Sequence, residues 1–239
     1  MIDPNTKIVS WSHSRLIDWD KCKFRAWLKH VQRIPEPVRA LSKGKDEHAN
    51  DRGTRIHSNI EQYISGQINE LLPEVEKHFG PHIDFLRILY EEGIVSLEGE
   101  WGFDEEWNPT EYQTAWHRTK LDAIVFWNKQ TATVIDYKSG RKFGNEVKHG
   151  EQLQLYQLDT FMRYPQLEFV DTELWYIDQN EITRREFTRE QGLRFKSGFD
   201  ARGKTITNAT EFPANPNRFS CQYCMYGPWG SGHCQKGVK

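Results

Sequence analysis

Residues 121–156 contain the side chains of this sequence that are best suited to chemistry on a phosphate. They follow one another in the order Asp122, Asp136, Lys138, Gln152 and Tyr156. Carboxylate oxygens are hard ligands of the kind that Mg²⁺ and Mn²⁺ prefer. A lysine beside such carboxylates can orient the attacking water or stabilise the charge that develops on the phosphate. The residue types therefore predict a metal-dependent phosphodiesterase site.

Two β-rich segments must position the aspartates and the lysine. Residues 119–127 are apolar and partly β-branched, residues 131–138 form a second such segment, and the polar residues 128–130 separate them. This pattern predicts a β-hairpin. Because alternate side chains of a strand lie on the same face, Asp136 and Lys138 should point to one side of the second strand.

A helix must position the amide and the phenol. Residues 149–164 carry apolar side chains at helical spacing. Gln152 and Tyr156 are four residues apart and therefore share one helix face. There they could hold a DNA backbone or orient the metal ligands. Such a pair is also compatible with an ordinary polar helix face, and only its closeness to Asp136 and Lys138 favours the functional interpretation.

The order of these residues resembles the signature of the PD-(D/E)xK nucleases, and in particular of their RecB-like branch. Asp122 precedes residues 136–140, which read DYKSG, and a QxxxY element follows at residues 152–156. Ser139 stands where the family often has threonine, which leaves the metal ligands intact. The resemblance implies a restriction-endonuclease-like α/β fold, in which helices flank a mixed central sheet.

The resemblance also implies an activity. The family hydrolyses DNA with Mg²⁺ or Mn²⁺, and the RecB-like branch implies exonuclease action on single-stranded ends, favouring the 5′ to 3′ direction. We therefore expect DNA as the partner, in recombination, repair, replication or spacer processing, with a protein partner in such a complex. One alternative is a nuclease-fold DNA-binding or adaptor subunit that cuts little, against which the set of Asp122, Asp136 and Lys138 argues. A zinc-ribbon interaction protein would leave residues 121–156 unexplained.

A histidine upstream of the hairpin is a further candidate for the site. Gly53 begins a predicted helix on which His57 lies beside an apolar stripe. A lone histidine in that position is more often a packed or solvated side chain than a ligand. The resemblance nevertheless implies that His57 binds metal, because the family has a glycine followed by a ligating histidine on this helix.

A predicted strand before the hairpin carries a second upstream candidate. Residues 95–104 alternate between apolar residues on one side and Glu98 and Glu100 on the other, which is typical of a half-buried strand. The resemblance implies a glutamate here as a metal or site-organising residue, and Glu100 fits that position better than Glu98. A solvated acidic face is the alternative.

The chain has four cysteines, which are Cys22, Cys221, Cys224 and Cys234. Disulfides are disfavoured in the cytosol, so this pattern suggests a metal centre. Four thiolates can hold zinc or a [4Fe–4S] cluster, and the spacing permits either. The arrangement resembles the iron–sulfur subset of RecB-like nucleases, including CRISPR-associated ones, which also begin with the S-x-S-R-L pattern seen at residues 12–16. The resemblance implies a [4Fe–4S] cluster, with His233 as a substitute for Cys234.

Charge and composition limit how the chain can bind DNA. With 239 residues and 37% hydrophobic residues it can form one large domain or two small ones. A formal net charge of −2 excludes a generally basic coat protein, so DNA contacts must come from metal ions and local patches. The candidate patches, each more simply explained as a solvated face, are Arg118 with Lys120, Arg141 with Lys142, and Arg184 with Arg185 and Arg189.

The sequence also predicts a location and a domain organisation. No run of about 18 apolar residues could span a bilayer, and Met1 to Ser10 lacks the features of a signal peptide, so we expect a cytoplasmic protein. We expect a single domain over residues 1–239. Its parts are a helical insertion at 34–93, a nuclease core at 95–187, and the segments 1–33 and 210–239, which the cysteines would join.

Periodicity and turn residues predict several further elements. In chain order they are a helix from Ser10 that contains Cys22, a loop over the site at 34–52, two short helices at 71–93 broken at Gly80, a hairpin at 172–188 and a helix at 192–208.

Overall fold

A six-stranded mixed sheet forms the centre of the molecule. The computed structural model describes residues 7–38, 41, 44, 46–140 and 142–239, with the exception of the Glu98 side chain. The sheet has the order β2-β1-β3-β4-β5-β6. The strands are β1 Val95–Phe103, β2 Pro109–Thr110, β3 His117–Phe126, β4 Thr131–Lys138, β5 Phe169–Tyr176 and β6 Glu181–Thr188. β4 and β5 are parallel and the other neighbouring pairs are antiparallel, so the predicted mixed sheet is confirmed.

The hairpin that carries the two aspartates forms as predicted. β3 pairs with β4 in a register that sets Ala123 opposite Ile135. In the turn between them, the backbone N–H of Gln130 donates to Oδ1 of Asn128 at 2.8 Å. An asparagine that bonds the backbone two residues on stabilises such a turn locally. The hairpin predicted at 172–188 also forms, as β5 and β6.

Eight helices are present in the part of the chain that the structure describes. They are α1 His13–Lys21, α2 Lys23–His30, α3 Ala49–Ile64, α4 Pro73–Glu91, α5 Glu146–Arg163, α6 Arg189–Leu193, α7 Lys196–Thr207 and α8 Arg218–Cys221. α5 connects the parallel strands β4 and β5, which cannot be joined by a tight turn. Within the described residues, no helix is both long and apolar enough to cross a lipid bilayer.

Helices cover both faces of the sheet. On one face, α3 and α4 bury an apolar stripe that includes Ile56 and Phe79 against Ile135 of β4. On the other face, α5 packs through Phe161 on Val134 of β4. Because helices cover β4 from both sides, six of its eight residues are buried. Of the two polar residues among these six, Thr133 accepts a hydrogen bond from the indole of Trp127, and Asp136 belongs to the site.

A third apolar cluster joins the first helices to the second layer. Trp11 and Leu16 pack with Leu155 of α5 and Phe199 of α7. Trp11 also stacks on the ring of His117 with the ring centroids 3.9 Å apart. The segment before α1 is thereby fixed beside the start of β3.

The first two helices are tied together by a charge cluster around Asp18. The Asp18 carboxylate contacts the guanidinium of Arg25 at 3.1 Å, the ammonium of Lys29 at 3.3 Å and the imidazole of His30 at 3.1 Å. Burial acts to raise the pKa of Asp18, but His30, Lys29 and Arg25 outweigh it and lower the pKa to about 2. The ionised carboxylate is therefore favoured by folding.

The prediction of two short helices at residues 71–93 is wrong. α4 runs without a break from Pro73 to Glu91 and has Pro81 inside it. An interior proline removes one backbone hydrogen bond and costs about 3 kcal/mol. Each large apolar side chain that is fully buried contributes roughly 1.5–3 kcal/mol. The buried residues of α4 outweigh the proline, and they include Val75, Phe79, Ile83, Leu86 and Leu89.

Cys22 does not lie inside a helix, as the sequence predicted, but between α1 and α2. Its backbone is extended, with φ −168°. Its N–H donates to the carbonyl of Asp18 at 3.1 Å, and its carbonyl accepts from the N–H of Ala26 at 3.0 Å. One residue therefore ends the first helix and begins the second.

Three other expectations need correction. The loop expected at 34–52 ends earlier, because α3 already begins at Ala49, and residues 39, 40, 42, 43 and 45 lie outside the described part. The helix expected at 192–208 is divided into α6 and α7. The apolar residues of β1 do not share one core, since Val95 packs with α3 and α4 whereas Trp101 and Phe103 pack with α5.

Candidate active site

Asp122 is placed where the backbone pairing of β3 and β4 gives way to a side-chain contact. The backbone pairing of the two strands includes Ala123, which lies opposite Ile135. Beyond that pair, the N–H of Tyr137 in β4 donates to Oδ2 of the Asp122 side chain at 2.6 Å. Oδ1 of Asp122 lies 2.9 Å from Nδ1 of His57 on α3. The carboxylate is therefore held from both sides, by a strand and by a helix.

The position of α3 depends on a close approach to the segment that follows β4. A Cβ added to Gly53 would stand 3.2 Å from Oγ of Ser139. The guanidinium of Arg52 donates to the carbonyl of Ser139 at 3.0 Å and pairs with the carboxylate of Asp178 at 2.7 Å. These contacts set His57 against Asp122. Sequence reasoning missed Arg52, because its partners are distant in the chain.

Asp136 lies at the centre of the second group of site residues. Its Oδ1 accepts from the hydroxyl of Tyr156 at 2.7 Å and from the amide of Gln152 at 3.4 Å, and that amide also donates to the Tyr156 hydroxyl at 2.6 Å. Its Oδ2 lies 2.5 Å from Nζ of Lys138. The structure therefore brings the expected strand pair and the expected helix pair into direct contact.

The two aspartates influence one another electrostatically. Burial and the neighbouring Asp136 carboxylate raise the pKa of Asp122, although the bonds from His57 and Tyr137 oppose them. Burial would lower the pKa of His57, but the contact with Asp122 outweighs it and the pKa is raised. Carboxylates that resist being charged together form a place where a bound cation is stabilised.

The donor set fits a divalent cation by its chemistry. Two carboxylates supply hard oxygen ligands, and His57 supplies an imidazole nitrogen. As they are arranged, no three His, Cys, Asp or Glu side chains among the described residues converge closely enough to hold an ion. Metal binding by Asp122 and His57 would therefore replace the hydrogen bond that now joins them.

A cavity of about 500 Å³ opens beside Asp122 and His57. Glu100 lines it, but the Glu100 carboxylate accepts a hydrogen bond from Lys120. The side chain of Glu98, the alternative to Glu100, lies outside the described part. Glu61 of α3 lines the same cavity. It was not among the sequence candidates, although it follows His57 by four residues and so shares its helix face.

A second histidine, His149, lies near Lys138 and was not singled out from the sequence. Nδ1 of His149 is 2.7 Å from the hydroxyl of Tyr176, and the imidazole is on α5 in the turn before Gln152. Burial, followed by the positive charge of Lys138, lowers the pKa of His149. A neutral imidazole is therefore favoured at this edge of the site.

All four cysteines line one cavity of about 270 Å³, and none of them forms a disulfide. Burial raises the pKa of the Cys234 thiol, and the charges of Cys224, Cys22 and Cys221 act in the same direction. The chain ends are joined nearby, where the hydroxyl of Tyr226 donates to the carbonyl of Ile34 at 2.9 Å. Four thiols suit zinc or a [4Fe–4S] cluster by their chemistry, but as they are arranged no three of these cysteines, which all lie in the described part of the chain, converge closely enough to hold a metal ion.

His233, the expected substitute for Cys234, does not line that cavity. Its Nδ1 lies 2.7 Å from the hydroxyl of Ser231. The backbone N–H of Cys234 instead donates to the carbonyl of Tyr226 at 2.7 Å, which turns Cys234 towards the other cysteines.

The basic patches expected from the sequence have different surroundings. Arg189 donates to the carbonyls of Phe161, Tyr164 and Leu167, so its guanidinium is used within the fold. Arg184 contacts Asp171, Glu173 and Glu186. Lys142 pairs with Glu181, and Arg141 lies outside the described residues. Arg118 and Lys120 share the ring of Tyr112, with distances of 5.4 Å and 5.6 Å to its centroid.

One family model matches the chain over most of its length. It is the model of the PD-(D/E)XK nuclease superfamily, and it matches residues 10–229. The matched range includes the hairpin, the QxxxY helix and three of the four cysteines. No curated protein sequence matches the chain.

Two solved structures resemble this chain at low sequence identity. A protein from Eubacterium rectale, which carries the provisional name of an exonuclease, is 13% identical, with 92% of this chain and 86% of that chain covered and a TM-score of 0.43. An alkaline exonuclease from Laribacter hongkongensis is 15% identical, with 84% and 93% covered and a TM-score of 0.29. The family assignment therefore rests on the family model.

Proposed function

Because this chain belongs to the PD-(D/E)XK nuclease superfamily, we propose that it is a metal-dependent DNA exonuclease of the RecB-like branch. It acts at single-stranded ends, preferentially from 5′ to 3′, within a single nuclease domain. The observation that carries the proposal is the contact between Lys138 and the Asp136 carboxylate at 2.5 Å, beside Asp122 and His57. A binding module has no need of a lysine there.

In this proposal Asp122, Asp136 and His57 hold a Mg²⁺ or Mn²⁺ ion, and Glu100 organises the edge of the cavity. When bound, such an ion supplies Lewis-acid stabilisation of the phosphate and of the attacking water. The Lys138 ammonium donates a hydrogen bond to a phosphate oxygen or to that water. The water oxygen forms the new bond to phosphorus while the bridging P–O bond to the leaving nucleotide breaks.

The two residues of the QxxxY element act through Asp136 rather than on the phosphate. Tyr156 and Gln152 both donate to Oδ1, which leaves Oδ2 facing Lys138. Partners that fix a ligating carboxylate in this way typically matter 10- to 100-fold for metal affinity or activity. Gln152 and Tyr156 are thus positioning residues.

The test is cleavage of single-stranded and double-stranded DNA labelled at either end, with Mn²⁺ or with EDTA. We expect Mn²⁺-dependent shortening of the single strand and early release of a 5′ label as a mononucleotide. Asp122→Asn and Asp136→Asn should be inactive. Asp171→Asn is the matched control, since it changes a carboxylate on β5 that pairs with Arg184.

A wild-type protein that binds DNA but leaves both labels uncut in Mn²⁺ and Mg²⁺ would contradict the proposal and favour the adaptor subunit. Early release of the 3′ label would show that the direction of cleavage is 3′ to 5′, the opposite of the proposed one. Activity of Asp122→Asn equal to that of Asp171→Asn would remove Asp122 from the site.

We also propose that Cys22, Cys221, Cys224 and Cys234 hold a [4Fe–4S] cluster. Support comes from their common cavity and from the soft thiolate ligands that such clusters take. Protein purified without oxygen should be brown and contain about four iron atoms per chain. A colourless protein with one zinc ion per chain would contradict the cluster and support the zinc alternative.

A further inference from the structure

A cluster of three cations lies beside the site cavity, and the proposed chemistry does not use it. This basic cluster consists of Arg15, Arg118 and Lys120. Resting on the proposed function, we propose that the basic cluster binds backbone phosphates of the DNA strand beyond the nucleotide being cleaved. It is thus the part of the substrate site that holds the uncut strand.

One aromatic ring holds two of the cations together. The guanidinium carbon of Arg118 is 5.4 Å and the ammonium of Lys120 is 5.6 Å from the centroid of the Tyr112 ring. Cations within about 6 Å of an aromatic face are attracted to it electrostatically. Tyr112 therefore keeps two like charges side by side that would otherwise separate.

Backbone contacts fix a third cation next to them. Nη1 of Arg15 donates to the carbonyl of Ser10 at 2.7 Å and to its hydroxyl at 2.6 Å. The next residue, Trp11, accepts a hydrogen bond at its carbonyl from the N–H of Arg118 at 2.9 Å. The segment that carries Arg15 is thus bonded to β3 at Arg118.

Contacts within the fold use only part of the donors of these cations. Nη2 of Arg118 donates to the carbonyl of Gln113, and Lys120 donates to the Glu100 carboxylate. Nε of Arg118 is buried and has no hydrogen-bond partner among the described residues, so a ligand would use the remaining Nη donors of Arg118 and Arg15. A phosphate bridging the two guanidinium groups would relieve the repulsion between like charges.

The basic cluster is continuous with the proposed site. Lys120 lines the same cavity as Asp122 and His57. Arg118, Lys120 and Asp122 are alternate residues of β3 and so follow one face of the strand. At about 3.3 Å per residue, Arg118 is about 13 Å from Asp122 along the strand. Successive phosphates of a duplex strand rise only about 3.4 Å, so the cluster contacts phosphates beyond the cleaved one.

The test is binding of a fluorescein-labelled oligothymidylate, followed by anisotropy in EDTA over a range of salt concentrations. Losing one phosphate contact to a single strand should reduce the slope of log K against log salt by about 0.7. We expect that reduction for Arg118→Gln and for Lys120→Gln. Tyr112→Phe should bind like the wild type, and Tyr112→Leu should bind more weakly.

The matched control is Arg87→Gln. Arg87 also stacks on a tyrosine, with its guanidinium carbon 4.9 Å from the ring of Tyr63 on α3. The substitution Arg87→Gln should leave the slope of log K against log salt unchanged. Equal slopes for Arg118→Gln, Lys120→Gln and the wild type, or an equal reduction for Arg87→Gln, would overturn the inference.

Cleavage assays keep the two proposals apart. If the wild type cleaves DNA in Mn²⁺ while Arg118→Gln and Lys120→Gln keep its salt slope, the proposal for the basic cluster fails and the exonuclease proposal stands. If the wild type neither binds the oligothymidylate nor cleaves DNA, both proposals fail.

Discussion

Two tyrosines of the site allow one hydrogen bond to be tested against a closely matched control. The hydroxyl of Tyr156 donates to Oδ1 of Asp136 at 2.7 Å, whereas the hydroxyl of Tyr137 is buried without a hydrogen-bond partner among the described residues. Both rings are buried, with 5% and 3% of their surfaces exposed. The substitutions Tyr156→Phe and Tyr137→Phe therefore remove the same atom from similar surroundings.

The expected magnitudes differ because only one of the hydroxyls bonds a charged group. A hydrogen bond to a charged group contributes about 1.5–3 kcal/mol. Tyr156→Phe should lower the free energy of unfolding by about 2 kcal/mol, since Oδ1 of Asp136 then keeps only the longer contact to Gln152. For a chain of this length that corresponds to a loss of roughly 4–8 °C in Tm. Tyr137→Phe should be neutral or slightly stabilising, because an unpaired buried polar group is costly.

Thermal unfolding of metal-free protein, followed by circular dichroism, measures the first effect. A second effect concerns metal binding and is measured by titrating cleavage activity with Mn²⁺. Half-saturation of Tyr156→Phe should require about 10- to 100-fold more Mn²⁺ than the wild type, because Asp136 is no longer fixed. Equal Tm values for the two variants, or a larger loss for Tyr137→Phe, would refute the reasoning from the hydrogen bond.

Four further predictions concern single positions. Lys138→Ala should bind DNA in EDTA like the wild type but lose at least about 100-fold in cleavage rate, as is typical for a lost electrostatic contact to the transition state; undiminished cleavage would remove the lysine from the mechanism. Asp18→Asn should lower the free energy of unfolding at pH 7 by about 2 kcal/mol, because folding lowers the pKa from its usual 3.8 to about 2. That stability is complete above pH 3.8 and is lost as the pH falls through about 2, so urea titrations should show the two proteins converging there. Cys22→Ser should bleach the protein and lower its stability by up to about 5 kcal/mol, as expected when a crosslink across most of the chain is lost; an unchanged spectrum would contradict its role as a ligand. Pro81→Ala should raise the Tm, because it restores a hydrogen bond inside α4 and removes a strain of roughly 3 kcal/mol.

The difference between Arg189 and Arg118 shows why residue type alone did not predict function. Both are arginines in short basic runs of the sequence. Arg189 donates to carbonyls of residues 22 to 28 positions away, whereas Arg118 shares a tyrosine ring beside the cavity. The partners of both arginines depend on how the helices pack on the sheet, and this packing cannot be read from the neighbouring sequence.

The sequence by itself determined the parts of the site that lie close together in the chain. Period-two alternation placed Asp136 and Lys138 on one face of a strand, and a spacing of four placed Gln152 and Tyr156 on one face of a helix. The structure confirms both, with contacts of 2.5 Å and 2.6 Å within the pairs. Such geometry follows from the backbone period and needs no knowledge of the rest of the molecule.

Only the tertiary structure decided which distant groups join them. His57 reaches Asp122 because Arg52 ties α3 to Ser139 and to Asp178, a residue 126 positions away. The continuity of α4 through its proline likewise depended on the sheet against which it packs. Contacts between remote segments depend on the sum of apolar burial over whole faces, which no local pattern records. Spacing therefore fixed the strand and helix pairs of this site, and packing assembled them around one pair of carboxylates.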